Sequence, residues 1–255
     1  MQLSSAAEAA GYRLSAHDAL ASTNAEALTL ARSGERGPLW IVARQQRAGR
    51  GRRGNAWVSP PGNLYATLLL TDPAPPQCAP QLSFVAVVAL HDAIAACAPS
   101  SAKALTFKWP NDLLCGGAKL AGILIEGERA DEALAVAVGI GVNCISHPSQ
   151  TPYPATDLKG EGAPIDAATV FEALTASLAQ RLAAWRRGAG FAAIRADWMA
   201  RAAGIGGDMR ARLPDREIVG RGEGLDTHGR LLLRLPDGSV EAIAAGEVFP
   251  MTGAA

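Results

Sequence analysis

The segment that most constrains the fold is the arginine loop, residues 49–54, whose letters GRGRRG match the Gly-x-Gly-x-x-Gly spacing of a dinucleotide-binding turn. Such a turn needs a strand before the glycines and a helix that begins on them, so that a pyrophosphate meets the helix N-terminus. Residues 39–45 predict the strand, but residues 55–62, NAWVSPPG, place two prolines and a glycine where the helix should run. The sequence therefore argues against a dinucleotide-binding turn.

The same loop is better suited to binding an anion. The loop carries three guanidinium groups, those of Arg50, Arg52 and Arg53, and such groups form bidentate hydrogen bonds with carboxylate or phosphate oxygens. The glycines let the loop change conformation. A solvated turn and a nucleic-acid-binding loop are the alternatives. The chain has 24 Lys and Arg against 24 Asp and Glu, and Trp57 is the one aromatic residue beside the loop, which disfavours nucleic acid.

Polar residues also stand at the ends of predicted strands. Asn111 and Asp112 follow a proline that cannot continue a strand ladder, so they either point into a cleft or satisfy their own turn. Lys119 begins an apolar strand and lies either in water at the sheet edge or against a buried anion. Gln46 can donate to and accept from a planar polar ligand, and small residues at 139–143 allow a ligand to approach a strand closely.

The remaining sequence predicts an α+β fold, with a mixed or antiparallel sheet backed by helices and a small C-terminal β-barrel of the SH3 kind. A helix begins after Leu20, where Thr23 and Glu26 form a capping box, and Gly34 is placed as a C-cap glycine. Further helices are predicted over residues 82–97, 166–187 and 191–203, and strands over residues 39–45, 64–70, 105–109, 112–115, 120–126 and 134–142.

Several absences predict a cytoplasmic protein. The N-terminus lacks the basic and apolar regions of a signal peptide, and no apolar stretch is free enough of Gly, Pro and charge to span a bilayer. The four cysteines are scattered and have no metal-ligand spacing, which favours free thiols in a reducing compartment.

Six motifs in this order resemble those of the biotin protein ligases. They are STN at 22–24, QxAGRGRRG at 46–54, WxSPxGNLY at 57–65, KWPND at 108–112, KLAGILxE at 119–126 and GxGxN at 139–143. The arginine loop combined with KWPND and KLAGIL is specific, far beyond a single motif. The resemblance implies a class II synthetase-like biotin/lipoate ligase catalytic domain over residues 1–205 and an SH3-like β domain over residues 206–255.

The resemblance also implies an activity. Such a ligase uses ATP and Mg²⁺ to activate biotin as biotinyl-5′-AMP, and then transfers biotin to a lysine of a biotin carboxyl carrier protein domain of a biotin-dependent carboxylase. The alternatives are a lipoate or octanoate ligase or transferase of the same superfamily, and a non-catalytic biotin-binding sensor.

Site residues follow from the resemblance, motif by motif, while metal ligands stay unassigned. Catalytic roles are implied for Arg52, Asp112 and Lys119. Biotin binding is implied for Ser22, Thr23, Asn24, Gln46, Arg50, Gly51, Arg52, Trp57, Lys119 and Gly122. Nucleotide binding is implied for Arg52, Arg53, Trp57, Asn111, Asp112, Lys119 and Asn143.

Two departures from the family pattern shape the expectations. About twenty residues precede Ser22, too few for the winged helix-turn-helix of the two-function members, so we expect a ligase without repressor activity. We also expect no specific nucleic acid, no membrane partner, and a monomer or homodimer. Met251 stands where some members have arginine, which leaves the share of the β domain in nucleotide binding open.

Overall fold

The computed structural model describes residues 1–130, 132–151 and 153–251, and within these ranges the chain forms five α-helices and twelve strands. The helices are α1 (Ser5–Ala9), α2 (Thr23–Arg32), α3 (Leu82–Cys97), α4 (Ala167–Trp185) and α5 (Phe191–Met199). The strands are β1 (Arg13–Leu20), β2 (Leu39–Gln46), β3 (Leu64–Thr71), β4 (Leu105–Lys108), β5 (Asp112–Cys115), β6 (Ala118–Ala130), β7 (Ala133–Val142), β8 (Asp208–Arg212), β9 (Glu217–Leu225), β10 (Leu231–Arg234), β11 (Val240–Ile243) and β12 (Glu247–Pro250).

Seven strands form the large sheet in the order β1-β2-β3-β7-β6-β5-β4. Strands β1 and β2 pair in parallel, and every other neighbouring pair is antiparallel. The prediction of a mixed or antiparallel sheet is therefore confirmed, and the sheet is mixed. Helix α2 is the crossover between the parallel strands, and it lies against one face of β2, β3 and β7.

The sheet is covered on both faces. Trp40 and Val42 of β2 belong to the main core with α3 and α4, and Trp40 meets Phe171 edge-on at 5.4 Å between ring centroids. Leu39 and Ile41 point the other way and pack with α2. Because side chains alternate along a strand, burial on both faces explains why β2 is continuously apolar instead of alternating.

Helix α3 forms the centre of the main core. The expectation that no apolar stretch could span a bilayer needs correction, because the segment Pro76–Cys97, which includes the 3₁₀ turn before α3, is 22 residues long and apolar enough by length and composition. Of that apolar window, 72% is buried inside the protein. The apolar composition is explained by packing, since α3 contacts α4, α5 and the sheet.

A five-stranded antiparallel sheet of order β11-β10-β9-β8-β12 forms the small C-terminal unit. It is continuous with the main core, because Leu231 and Val248 are buried in the same cluster as α3. Trp109 fixes the junction by donating from Nε1 to the carbonyl oxygen of Gly229 at 3.0 Å. The four last residues of the predicted C-terminal domain, 252–255, lie outside the described residues.

Several local predictions need correction. Helix α1 and strand β1 were not predicted, because β1 is a half-exposed edge strand with a weak apolar pattern. The N-cap of α2 is Ser22, whose Oγ accepts from the backbone N–H of Ala25, and not Thr23. Helix α4 ends before residue 187, since Arg186 and Arg187 have φ values of 49° and 58°.

Candidate active site

One cleft collects most of the polar residues singled out in the sequence. It has a volume of about 920 Å³ including its open mouth, and it lies on the α2 face of the sheet. Along β7 that face changes from Ala137, which packs on α2, to Gly139 and Gly141. A Cβ on Gly139 would lie 2.3 Å from Asn24 Oδ1, and one on Gly141 would lie 2.6 Å from Trp57 Nε1. These glycines leave room for polar side chains above the sheet.

Uncharged side chains form one end of the cleft. We call the set Ser22, Thr23, Asn24 and Gln46 the polar floor. Gln46 Oε1 accepts from the Thr23 backbone N–H at 2.9 Å, and Gln46 Nε2 donates to Ser59 Oγ at 3.0 Å. Asn24 Oδ1 accepts from Thr67 Oγ1 at 2.6 Å. Since Ser22 caps the helix, Thr23 is free to serve the floor.

The arginine loop folds across the mouth of this cleft as a short hairpin. The Gly51 N–H donates to the Asn55 carbonyl at 2.7 Å, and the Trp57 N–H donates to the Gly49 carbonyl at 2.9 Å. A single 3₁₀ turn, Arg52–Gly54, follows the glycines, and no α-helix begins there in residues 52–63 of the described chain. The exclusion of a dinucleotide-binding turn is therefore confirmed.

Arg52 reaches into the cleft and touches the C-terminal unit. Its Nη1 donates to the Gly246 carbonyl at 3.2 Å and lies 3.5 Å from Asn111 Oδ1. Burial lowers the pKa of the Arg52 guanidinium, and Asp112 opposes that shift. An arginine remains charged at any physiological pH, so the lowered pKa marks a desolvated cation that is available to an anionic ligand.

Two lysines complete a group that we call the cation cluster: Arg52, Lys108 and Lys119 around Asp112. Lys119 Nζ lies 2.7 Å from Asp112 Oδ1, and Lys108 Nζ lies 3.8 Å from Oδ2. The side chains of both lysines and of Asp112 are largely removed from water. Lys119 is 13% exposed, Lys108 is 14% exposed and Asp112 is 9% exposed. Asp112 and the nearby Glu247 are two carboxylates against three cations, and the remaining positive charge favours binding of phosphates.

Aromatic rings enclose the cluster. Lys119 Nζ lies 5.4 Å from the Trp57 ring centroid, and both lysine ammonium groups lie 5.3 Å from the Tyr153 ring centroid. Phe249 of the C-terminal unit is also 5.3 Å from Lys108 Nζ. These distances are in the range of cation–π contacts, which stabilise ammonium groups that are withdrawn from water.

All of the predicted site residues except Arg53 and Asn143 line the cleft. Arg53 is exposed, and its φ of 57° belongs to the left-handed turn at the tip of the loop. Asn143 is buried beyond the end of β7, and its Nδ2 donates to the Thr156 carbonyl at 3.0 Å. A nucleotide role for these two residues stays a prediction, and the geometry gives Asn143 a different task.

The hydrogen bond from Asn143 to the Thr156 carbonyl leads to a testable prediction for the variant Asn143→Ala. The substitution leaves the buried Thr156 carbonyl without its donor, so we expect a loss of about 1–3 kcal/mol in the free energy of unfolding. We expect the KM for ATP to stay within about twofold, since the side chain does not reach the cleft. Urea unfolding and steady-state kinetics measure the two effects. A large rise in the KM for ATP at unchanged stability would instead assign Asn143 to the nucleotide.

Sequence reasoning missed several residues that line or brace the cleft. They are Tyr65, Lys108, Glu126, Tyr153, Glu247 and Phe249. Lys108 opens the KWPND motif and Glu126 closes the KLAGILxE motif, so both were within reach of the motif pattern. Tyr153, Glu247 and Phe249 approach from distant segments without a signal of their own.

The mixed sheet, the arginine loop over its cleft and the cation cluster form a site for a small ligand that carries an anionic group. Residues 19–143 match the biotin/lipoate A/B protein ligase family, and residues 205–250 match the biotin protein ligase C terminal domain. A biotin–[acetyl-CoA-carboxylase] ligase of Paracoccus denitrificans is 45% identical over 236 residues, which cover 89% of this chain and 96% of that protein. The chain belongs to the biotin protein ligase family.

Two further comparisons agree with this assignment. The bifunctional ligase/repressor BirA of Bacillus subtilis (strain 168) is 34% identical over 91% of this chain and 72% of its own length. The structure of a biotin protein ligase from Aquifex aeolicus in complex with biotin and ATP has a TM-score of 0.77 and 24% identity, and it covers 93% of this chain and 97% of the other. The latter likeness shows a shared fold.

Proposed function

We propose that this protein is an ATP-dependent ligase that attaches biotin to a lysine of a biotin carboxyl carrier protein domain. The observation that carries the proposal is the division of the cleft, with the polar floor at one end and the cation cluster at the other. A neutral bicyclic ring suits the floor, and a carboxylate with an adjoining nucleotide suits the cluster. The similarity to named biotin ligases favours biotin over lipoate or octanoate.

The reaction has two steps. A carboxylate oxygen of biotin attacks the α-phosphorus of ATP, the bond to the pyrophosphate oxygen breaks, and biotinyl-5′-AMP and pyrophosphate form. The amine of a carrier lysine then attacks the acyl carbon, the acyl–oxygen bond breaks, AMP leaves and the amine loses a proton. Positioned cations catalyse such phosphoryl chemistry mainly by stabilising charge that develops on the oxygens.

Biotin is bound between the floor and the loop. Hydrogen-bonding groups of Thr23, Asn24 and Gln46 face the ureido ring, and the indole of Trp57 forms an apolar wall above β7. Arg50 and Gly51 close over the ring system, while Arg52 and Lys119 bind the carboxylate. A Cβ on Gly122 would lie 3.4 Å from both Lys119 Nζ and Trp57, so glycine keeps this passage open.

The nucleotide phosphates lie at the cation cluster, where Arg52 and Lys119 hold the α-phosphate. Mg²⁺ would fit beside Asp112, because this ion takes one or two carboxylates and completes its shell with phosphate oxygens and water. Asp112 Oδ1 is paired with Lys119 at 2.7 Å and Oδ2 lies 3.8 Å from Lys108, and because each carboxylate oxygen can accept more than once, the side chain retains acceptor capacity for a cation. Asn111 Oδ1 would be a second protein oxygen available to the ion. The ion neutralises phosphate charge when it is bound.

Asp112 also faces the place where the acceptor lysine must arrive. Its carboxylate can hold the incoming ammonium and orient the amine toward the acyl carbon. The loop meanwhile keeps water from the mixed anhydride until the carrier docks.

Other parts of the proposal concern the whole chain. A boundary between residues 205 and 206 separates the catalytic unit from the SH3-like unit, and the protein works in the cytoplasm as a monomer or homodimer.

Burial raises the pKa of the thiol of Cys115 to about 11 and that of Cys144 to about 12, which keeps both protonated and unreactive.

Isotope exchange between ATP and pyrophosphate tests the function directly. We expect exchange that depends on biotin and not on lipoate or octanoate, followed by transfer of labelled biotin to a carrier domain. Binding of biotin without exchange would identify a sensor, and lipoate-dependent exchange would identify the alternative ligase. DNA binding that weakens steeply with salt would instead support a regulator.

The burial of Lys108 leads to a prediction about how the KM for ATP depends on pH. Burial lowers its pKa below the ordinary lysine value of about 10.4, and Asp112 opposes the shift. Deprotonation removes a cation from the phosphate site, so the KM for ATP should rise with increasing pH before an ordinary lysine titrates. Lys108→Arg keeps its charge and should flatten that rise. An equal rise in the variant, measured by steady-state kinetics, would remove Lys108 from this role.

A further inference from the structure

An ion pair between Arg50 and Glu126 attaches the arginine loop to the sheet. Arg50 Nη2 donates to Glu126 Oε1 at 3.0 Å and to Oε2 at 2.8 Å, across 76 residues of sequence. The Arg50 and Glu126 side chains are 43% and 30% exposed, so the pair lies at the mouth of the cleft. Both bonds use Nη2, and the N–H groups on Nε and Nη1 can donate to a ligand oxygen at the same time.

Glu126 also contacts the polar floor. Its Oε2 accepts from Asn24 Nδ2 at 2.9 Å, so one carboxylate joins the loop to a residue that faces the ring site. Asn24 in turn accepts from Thr67, whose hydroxyl oxygen lies 2.8 Å from that of Thr23. Thr67 has a single hydroxyl proton, which it donates to Asn24 Oδ1. The Thr67 hydroxyl oxygen therefore accepts from the Thr23 hydroxyl.

The same chain of hydrogen bonds returns to the loop. The backbone N–H of Thr23 donates to Gln46 Oε1, and Gln46 Nε2 donates to Ser59 Oγ. Gln46 precedes the arginine loop and Ser59 follows it. Ser59 Oγ then donates to the Trp57 carbonyl at 2.8 Å. The segments on both sides of the loop, and the loop itself at Arg50, are therefore connected to the floor, and Glu126 is the charged connection.

We propose that Glu126 is a positioning residue that couples occupation of the polar floor to closure of the arginine loop. This inference rests on the proposed function. A ligand that fixes Asn24 also fixes the Glu126 carboxylate, which then holds Arg50 over the ligand. Loss of the charge leaves the floor able to bind biotin and leaves the loop less firmly closed.

The variant Glu126→Gln tests this coupling, with Glu128→Gln as its matched control. Glu128 lies two residues along the same strand and accepts from Arg32 of α2 at 2.6 Å, away from the loop. With biotin and ATP present, we expect trypsin to cut the arginine loop about three- to tenfold faster in Glu126→Gln than in wild type, and biotinyl-5′-AMP to leave faster by a similar factor. Glu128→Gln should match wild type in both measurements.

A double-mutant cycle separates coupling from general loosening. If Glu126 acts through Arg50, the variant Arg50→Gln/Glu126→Gln should release biotinyl-5′-AMP no faster than Arg50→Gln alone. Additive effects, or unchanged loop protection in Glu126→Gln, would overturn the proposal. Failure of the proposed function looks different, because wild type itself would then show no biotin-dependent exchange of pyrophosphate.

Discussion

Replacement of Lys119 by methionine is expected to lower the rate of biotinyl-5′-AMP formation by about 10²- to 10³-fold, or roughly 3–4 kcal/mol in activation free energy. Lys119 is a largely buried cation whose position is set by β6 and by Asp112 at 2.7 Å. Methionine has a similar length and no charge, so the change removes a cation from the place where charge develops on the α-phosphate. Single-turnover formation of biotinyl-5′-AMP measures the effect.

The fold should survive this substitution. Lys108 Nζ stays 3.8 Å from the other oxygen of Asp112, so the carboxylate keeps a cation nearby. Lys103→Met is the control, since Lys103 is exposed and lies outside the cleft. Adenylation within threefold of wild type in a folded Lys119→Met protein would show that this ammonium is not needed for the first step.

The elements with long runs of apolar residues were predictable from the sequence. Helix α3 has the predicted bounds of residues 82–97, and β3 and β7 begin or end within one residue of their predicted limits. Strand β1 was not predictable in the same way. Its residues are half-buried or exposed without a regular alternation, because β1 lies at the edge of the sheet and pairs only with β2.

The site shows the same division between local and non-local information. The sequence left open whether Lys119 lies in water or against an anion, and the answer depends on Asp112 on the neighbouring strand. The partnership of Arg50 with Glu126 spans 76 residues and depends on the register of β6 and β7. Motif spacing cannot supply such contacts, because they arise only when the sheet is assembled.

Adjacent residues in a motif can also point in different directions. Arg52 and Arg53 are equivalent in the sequence pattern, yet Arg52 enters the cleft and Arg53 occupies a left-handed turn at its exposed rim. Both arginines satisfy the same motif. The backbone conformation at each position determines which of the two side chains can contact a ligand. The sequence could therefore identify the loop and its chemistry without distinguishing its arginines.

Arg52 is the residue for which this distinction has the largest expected consequence. In Arg52→Ala we expect biotinyl-5′-AMP to dissociate about 10- to 100-fold faster and adenylation to slow, because charge-assisted hydrogen bonds are worth about 1.5–3 kcal/mol. The side chain connects the arginine loop to Gly246 of the C-terminal unit and approaches Asn111, so its loss opens the loop and removes a cation together. Retention of the intermediate during rapid gel filtration measures the dissociation.

Arg47→Ala is the matched control for this loss. Arg47 precedes the arginine loop, its side chain is exposed, and its backbone N–H keeps its bond to the Leu20 carbonyl whichever side chain is present. If Arg52→Ala retained the intermediate as long as Arg47→Ala and wild type do, the loop would not be the barrier that protects the acyl-adenylate. Faster release in Arg52→Ala alone would assign retention of the intermediate to Arg52, which contributes both the contact with Gly246 of the C-terminal unit and a cation at the phosphate site.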